Sequence, residues 1–402
     1  MLKRCILDED AKRHHVFELS QILCKIEIIM KNNPLVQLEK LGQSVWLDSI
    51  SKDLIKSGNL RKLIEADGLS GITSNPAIFY KAISGSHDYD IDIRIMALAG
   101  KDSKSIYEAI CIKDIQMAAD EFLPLYKSTD GKDGYVSMEV DPHLAYNTNA
   151  TIEEARRLWV ELDRPNVLIK VPATKEGLPA IQQLTSEGIN VNITLLFGLP
   201  RYRQVAEAYI AGLRMLADKG KPISHVFSVA SFFISRIASA VDPIEEQFLA
   251  AHGEQAHFGT YIKGHVAISS AQLAYKMYKE IFASEQFSEL VGKGAQPQKL
   301  LWASTGTKNP EYSDIKYIEA LIGDNTINTI PPDTLNAYRD RGNPKARIER
   351  DIPQAEWIMD ELPELGIDID KITQQLESEG VDKFIKQYDL IIVSIEQELE
   401  KK

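Results

Sequence analysis

Apolar and polar positions alternate with a period of two in short runs along the chain, which is the pattern expected of β-strands. In one run, NVLIKV, the apolar residues Val167, Ile169 and Val171 share a face, and Lys170 lies on the other. Helical periodicity separates eight such runs, at 44–48, 71–75, 135–140, 166–171, 190–197, 224–231, 299–304 and 325–330. Strands and helices in strict alternation predict that the strands pair in parallel.

Two architectures accommodate eight parallel strands: a closed (β/α)8 barrel and an open doubly wound sheet. An open sheet needs polar groups at only one or two strand ends, whereas a barrel gathers them from many strands. Seven of the eight runs carry a polar residue near their carboxyl end: Asp48, Asn75, Glu139, Lys170, Asn192 with Thr194, Ser231 and Ser304. This distribution favours the α/β barrel, with the polar faces turned towards its interior.

Segments outside the repeat predict N-terminal and C-terminal helical extensions of the barrel. Residues 1–32 show no sustained periodicity, so we expect an extended or disordered N-terminal arm. Residues 33–402 are expected to form one domain, with a helical insertion around 237–265. An apolar stripe at helical spacing near the end of the chain predicts a helix that packs on the barrel: Val381, Phe384, Ile385, Tyr388 and Ile392.

Composition and charge narrow the classes of function. The net charge of −12 counts against a nucleic-acid partner. The most apolar early stretch, residues 21–30, is interrupted by charged residues and is shorter than the roughly 20 residues of a membrane span. The cysteines, Cys5, Cys24 and Cys111, share no metal or redox spacing, and the histidines form no zinc-binding pattern. We therefore expect a cytoplasmic protein with free thiols and no metal.

Lys170, Asp48 and Glu139 form the candidate reactive group. A lysine near a strand end is often solvated, and a lysine beside two carboxylates is often a structural ion pair. Polar groups converging from four other strands favour instead a site for a polyhydroxylated substrate. Inside a barrel mouth an amine loses hydration, which favours the neutral form that attacks a carbonyl. The two carboxylates could then divide the proton transfers of Schiff-base chemistry.

Seven segments together resemble the transaldolase family, over roughly residues 33–402. They are LGQSVWLDSI, GLSGITSNPAIF, VSMEVDPHLA, NVLIKVPAT with EGLPAI, INVNITLLF, SVASFFISRI and LLWASTGTKNP. The resemblance implies that Lys170 forms the Schiff base and that Asp48 is the general acid and base at the C4 hydroxyl of the donor. It also implies that Glu139 and Thr194 handle a catalytic water.

The resemblance further implies a binding site for the sugar and its phosphate. The implied donor contacts are Asn75, Asn192 and Ser231. Arg236 and Ser304 would hold the phosphate. Shorter family members carry an arginine soon after this serine, whereas residues 305–308 here read Thr-Gly-Thr-Lys, so we expect Lys308 to replace it as a point charge.

The predicted function is transfer of a dihydroxyacetone unit from a ketose phosphate to an aldose phosphate in the non-oxidative pentose phosphate pathway. The donor would be sedoheptulose 7-phosphate or fructose 6-phosphate, and the acceptor glyceraldehyde 3-phosphate or erythrose 4-phosphate. No cofactor is implied, because the iminium itself withdraws electrons. Two alternatives stay open: a Schiff-base aldolase that releases dihydroxyacetone, and a catalytically silent sugar-phosphate binding protein. The sequence predicts no oligomeric state.

Overall fold

The computed structural model describes residues 33–252 and 257–400. Eight parallel strands form a closed barrel in which strands adjacent in sequence are also adjacent in space, and β8 pairs back with β1. The strands are β1 (Gln43–Leu47), β2 (Leu69–Ile72), β3 (Tyr135–Glu139), β4 (Val167–Pro172), β5 (Val191–Leu196), β6 (Ser228–Phe233), β7 (Lys299–Ala303) and β8 (Thr326–Ile330). The predicted (β/α)8 barrel is confirmed, and the open sheet is excluded.

Helices follow the strands and extend the barrel at its C-terminal end. They are α1 (Pro34–Lys40), α2 (Lys52–Lys56), α3 (Asn59–Asp67), α4 (Pro76–Ser84), α5 (Asp90–Leu98), α6 (Ser103–Ser128), α7 (Thr148–Leu162), α8 (Gly177–Thr185), α9 (Leu199–Asp218), α10 (Ser235–His252), α11 (His257–Ile262), α12 (Val266–Phe282), α13 (Glu285–Val291), α14 (Lys316–Ala320), α15 (Pro332–Arg341), α16 (Ile352–Glu361) and α17 (Ile369–Glu400). Short 3₁₀ turns lie at Pro142–Leu144 and Leu362–Leu365. Helices α10 and α11 form the predicted insertion, whereas the predicted N-terminal arm lies outside the described residues. No described helix combines the length and the apolar character that a membrane crossing needs.

The amino ends of the strands are closed by aromatic side chains. Tyr135 of β3 stacks on Phe227, just before β6, with ring centroids 4.2 Å apart, and Trp46 of β1 lies 6.5 Å from Tyr135. Gly71 of β2 makes room for this cluster, because a Cβ there would lie 2.5 Å from the Trp46 ring. The described side chains therefore fill the interior at this end, which leaves the carboxyl ends of the strands for a ligand site, as in other barrels.

Two predicted strands have the wrong bounds. The second run was predicted at 71–75, but β2 ends at Ile72. The Thr73 amide still donates to the Leu47 carbonyl, and beyond it a side chain takes over: Lys170 Nζ donates to the carbonyl of Ser74. Asn75 does not end the strand; its side chain accepts from the Ile78 amide and caps α4. The sixth run was predicted at 224–231, but β6 is Ser228–Phe233, so Ser231 lies inside the strand.

The predicted C-terminal helix is α17, 32 residues long. It packs against α4, α6 and β5. Val381, Phe384 and Tyr388 of the predicted stripe are buried, and Ile385 and Ile392 are partly buried. Gly380 lets the helix approach closely, because a Cβ there would lie 2.9 Å from Cδ2 of Leu195, a buried residue at the carboxyl end of β5. The last helix of the chain therefore runs across the mouth of the barrel.

Candidate active site

A cavity of about 440 Å³ opens at the carboxyl ends of the strands. Seven of the ten predicted site residues line it: Asp48, Asn75, Lys170, Ser231, Arg236, Ser304 and Lys308. The other three, Glu139, Asn192 and Thr194, lie on strands β3 and β5, on either side of Lys170 in the sheet. The structure thus gathers residues from β4 and β6 and from the segments after β1, β2, β6 and β7 around one space, as a barrel active site requires.

Lys170 is the most buried cation of this cavity, with 4% of its surface exposed. Its Nζ donates to the Ser74 carbonyl at 3.0 Å and lies 3.9 Å from Oε2 of Glu139. The ring of Phe384 covers the amine, with its centroid 5.7 Å from Nζ. The side chain does not extend to bulk water, so the solvated strand-end lysine considered above is wrong. Both its enclosure and its position suit attack on a substrate carbonyl.

Glu139 is paired with Lys170 across β3 and β4, and its two carboxylate oxygens are buried without a hydrogen-bond partner. Burial is the main cause that raises the pKa of Glu139, to about 7 in all; the charge of Lys170 opposes the shift and that of Asp48 adds to it. A carboxyl group that titrates near neutrality can both give and take a proton, as general acid–base catalysis requires. A small cavity of about 20 Å³ borders Glu139 on the side of Tyr107 and Cys111, enough for one water.

The raised pKa of Glu139 predicts a pH-dependent loss of stability. The folded protein holds this proton up to about pH 7, whereas an ordinary glutamate loses it near 4.5. The contribution of this group to the free energy of unfolding is therefore full below pH 4.5 and is lost as the pH rises through 7. The glutamine variant has no such proton to lose. We therefore expect the melting temperature of Glu139→Gln minus that of the wild type to increase as the pH rises from 5 to 8. A difference that stays constant over this range would contradict the shift.

Asp48 follows β1, and its Oδ1 accepts a hydrogen bond from the Thr73 hydroxyl at 2.9 Å. The hydroxyls of Thr73, just after β2, and Thr329, on β8, are 2.6 Å apart. A chain of hydrogen bonds from the two strands that flank β1 therefore orients the carboxylate. Burial raises the pKa of Asp48, while the charge of Lys170 and the Thr73 hydrogen bond lower it in part. A carboxylate that is fixed, half-buried and in the same cavity as the Lys170 amine suits proton transfer at a substrate hydroxyl.

The polar residues on β5 and β6 differ in how far they are available to a ligand. Asn192 donates to Ser137 at 2.9 Å and accepts from Ser231 at 2.7 Å, so both ends of its amide are engaged within the barrel. Ser231 also faces the cavity. Thr194 is fully buried, and its hydroxyl has no partner among the described residues. An unpaired buried hydroxyl is costly, which fits the prediction that Thr194 binds a water.

The outer part of the cavity carries positive charge. The guanidinium carbon of Arg236 lies 5.2 Å from the ring centroid of Phe233 and 5.9 Å from that of Phe384. Its Nη1 is buried without a hydrogen-bond partner, so it remains available to an anion. The Ser304 hydroxyl is 2.8 Å from the Ser235 hydroxyl. The backbone of Ser304 has a φ of +56°, a strained conformation of the kind that clusters at binding sites. The predicted phosphate residues thus lie together, and Lys308 stands exposed at the rim.

Several residues of the cavity have no counterpart in the sequence predictions. Thr73 and Thr329 orient Asp48. Lys383, Phe384 and Gln387 reach the cavity from α17. The apolar stripe predicted that Phe384 is buried. It could not predict that the ring covers Lys170, because the two residues are 214 positions apart in the chain.

No other region of the described chain brings the predicted site residues together. A larger groove of about 1330 Å³ runs along the outer wall between α1, α3 and α15, and none of the ten predicted residues lines it. Within residues 33–252 and 257–400, no group of three histidine, cysteine, aspartate or glutamate side chains is arranged to hold a metal ion.

A closed barrel with a buried lysine beside two carboxylates at the carboxyl ends of its strands is typical of enzymes that form a Schiff base with a sugar. The chain belongs to the transaldolase/fructose-6-phosphate aldolase family, whose sequence profile matches residues 45–395. It is 46% identical to "Transaldolase" of Trichodesmium erythraeum over 376 residues, which cover 92% of this chain and 99% of that protein. It is 45% identical over 375 residues to "Transaldolase 2" of Nostoc punctiforme, covering 92% of this chain and 98% of that protein. The family predicted from the sequence is confirmed.

Proposed function

We propose that the protein is a transaldolase that moves a dihydroxyacetone unit from a ketose phosphate to an aldose phosphate through a Schiff base on Lys170. The observation that carries the proposal is the amine of Lys170, which is 4% exposed, lies 3.9 Å from Glu139 and shares one cavity with Asp48. Family membership and the names of the relatives support the same function, and the chain is a transferase of this family.

The first half of the reaction cleaves the donor. Neutral Lys170 attacks the C2 carbonyl of fructose 6-phosphate, and the resulting carbinolamine loses water to give an iminium. Asp48 takes the proton of the C4 hydroxyl, the C3–C4 bond breaks, and its electron pair moves into the iminium. Glyceraldehyde 3-phosphate leaves, and a three-carbon enamine stays on Lys170. Glu139 and Thr194 would hold the water and transfer the protons that carbinolamine formation and breakdown need.

The second half builds the new ketose. The enamine carbon attacks the aldehyde of erythrose 4-phosphate, and Asp48 returns its proton to the new hydroxyl. Water then adds to the iminium, and its hydrolysis releases sedoheptulose 7-phosphate and the free amine. Arg236, Ser304 and Lys308 would bind the phosphate, while Asn75, Ser231 and Asn192 would contact or orient the donor's hydroxyl groups.

The family profile also covers fructose-6-phosphate aldolases, which makes release of dihydroxyacetone the nearest alternative. Release requires that a proton reach the enamine before the acceptor aldehyde does. Phe233, on the cavity wall, carries no hydroxyl that could deliver such a proton. The relatives with high identity are named transaldolases, which also favours transfer.

We expect conversion of fructose 6-phosphate to depend on the acceptor. With erythrose 4-phosphate supplied, sedoheptulose 7-phosphate should form rapidly; without it, little free dihydroxyacetone should appear. Chromatography of both products over time measures the two fates of the enamine. Equal release of dihydroxyacetone with and without acceptor would reject transfer and support the aldolase.

Phe233→Tyr should shift this balance towards release, because its hydroxyl would place a proton donor near the enamine. Phe233→Leu provides the matched control, since it changes the packing around Arg236 without adding a hydroxyl. We expect more release of dihydroxyacetone in the tyrosine variant alone. An equal increase in both variants would show that altered packing, and not the hydroxyl, causes it.

We also propose that the reaction takes place in the cytoplasm. The pathway that the family serves is consistent with this location, and the thiol of Cys111 is free and buried, as in proteins of reducing compartments.

A further inference from the structure

The predicted residues alone would bind a dianionic phosphate incompletely. Among the described residues, Arg236 is the one guanidinium that lines the cavity, and the segment after Ser304 supplies an exposed lysine instead of a second arginine. Phosphate groups are usually held by several charge-assisted hydrogen bonds, most strongly by bidentate arginine. A further cation at this end of the cavity would compensate for the missing arginine.

Helix α17 supplies such a cation. Lys383 and Gln387 are one turn apart, so they lie on the same face of the helix, and both line the cavity together with Arg236, Ser304 and Lys308. Phe384, next to Lys383 in the chain, is 4% exposed and contacts the guanidinium of Arg236. Burial of Phe384 fixes the orientation of the helix, which directs the Lys383 side chain to the rim of the cavity.

The charges around the rim favour an anion. Among the described residues that line the cavity, four are cations, namely Lys170, Arg236, Lys308 and Lys383, and one is a carboxylate, Asp48, which follows β1. Glu379 lies one turn before Lys383, with 3.7 Å between Oε2 and Nζ, and both side chains are substantially exposed. An exposed pair of this kind contributes little, so a phosphate can compete for the ammonium.

We propose that Lys383, on the C-terminal helix, is a further binding residue for the phosphate of the substrate, acting beside Arg236. The inference rests on the proposed function, because it concerns the phosphate of the same sugar substrates. It also gives α17 a role in specificity: the helix that shields Lys170 from water also recognises phosphorylated donors.

The test compares Lys383→Met with Lys386→Met. Lys386 is three residues further along, on the outer face of α17 beside Asp382 and Asp389, so its substitution removes the same charge outside the cavity. We expect Lys383→Met to raise KM for fructose 6-phosphate roughly 10-fold, the lower range for a hydrogen bond to a charged group, with little change in kcat. Lys386→Met should behave as the wild type, and Lys383→Arg should restore most of the affinity.

Two further measurements identify the phosphate as the group recognised. The KM for unphosphorylated fructose should be the same in Lys383→Met and the wild type. Inhibition by inorganic phosphate, competitive with fructose 6-phosphate, should weaken in Lys383→Met. Equal KM values for Lys383→Met, Lys386→Met and the wild type would overturn the inference. Equal increases of KM in both variants would also overturn it, because they would show only a long-range effect of the lost positive charge.

The outcome for Lys383 can be separated from the outcome for the proposed function. If the wild-type protein formed no sedoheptulose 7-phosphate, the proposed function would fail. Calorimetric titration with inorganic phosphate would still compare Lys383→Met with Lys386→Met, because it needs no turnover. Weaker phosphate binding in the first variant alone would support the role of Lys383, and unchanged binding in both would refute it.

Discussion

Borohydride reduction in the presence of fructose 6-phosphate should attach a sugar fragment to Lys170 and stop turnover. Only an amine without its proton can form the imine, and hydride then fixes the imine as a stable secondary amine. Peptide mass mapping locates the adduct. Lys308 and Lys383 line the same cavity and serve as internal controls for site selectivity. An adduct on either of them instead of Lys170 would contradict the assignment.

Substitution of Lys170 should abolish both trapping and detectable transfer. Lys170→Ala removes the nucleophile, and Lys170→Arg keeps the positive charge beside Glu139 but stays protonated, so we expect both variants to be inactive. Arginine thus separates the roles of charge and nucleophile. Circular dichroism and thermal melting establish that each variant is folded. Substantial activity in a folded Lys170→Arg variant would show that the lysine acts only as a charge, as in a binding protein.

The fold could be predicted from the sequence because each of its signals is local. Alternation with a period of two, as in Val167, Ile169 and Val171, identifies the strands, and helical stretches between them impose parallel pairing. The bounds of β2 and β6 were less predictable, because side chains replace the ladder there. The Ser74 carbonyl is bound by Lys170 Nζ, and the Phe227 amide donates to the Asn190 side chain.

The site was predictable where a polar residue interrupts an apolar strand, and not where it depends on long-range packing. Lys170 and Glu139 are neighbours because their strands pair, which follows from the order of the barrel. Lys383 lies on the polar side of its helix, and in a sequence such a residue cannot be distinguished from one that faces solvent. Only the fold shows that this side of α17 borders the cavity. The roles of the individual site residues stay predictions until variants are measured.

The second large effect is expected from Asp48→Asn, which should leave Schiff-base formation intact and slow cleavage of the donor. Asparagine keeps the shape of the side chain and an oxygen that can accept the Thr73 hydrogen bond of 2.9 Å, but it cannot take the proton of the C4 hydroxyl. Loss of a positioned general base lowers kcat by ~10²- to 10⁴-fold. We expect a decrease in this range, measured as sedoheptulose 7-phosphate formation, in a protein whose melting temperature stays near that of the wild type.

The mass of the borohydride adduct locates the blocked step. In the wild type the C3–C4 bond breaks and the three-carbon enamine stays on Lys170. Protonation of its C3 during the long incubation without acceptor gives the iminium that hydride reduces, so the three-carbon adduct should dominate. In Asp48→Asn the intact six-carbon ketose should accumulate as the iminium, and its reduced adduct should replace the three-carbon one. Thr73→Val is the matched control, because it removes the hydrogen bond to Asp48 and keeps the carboxylate. It should lower kcat less and leave the three-carbon adduct dominant. Unchanged turnover in Asp48→Asn would show that Asp48 is structural, and loss of both adducts would assign it instead to iminium formation.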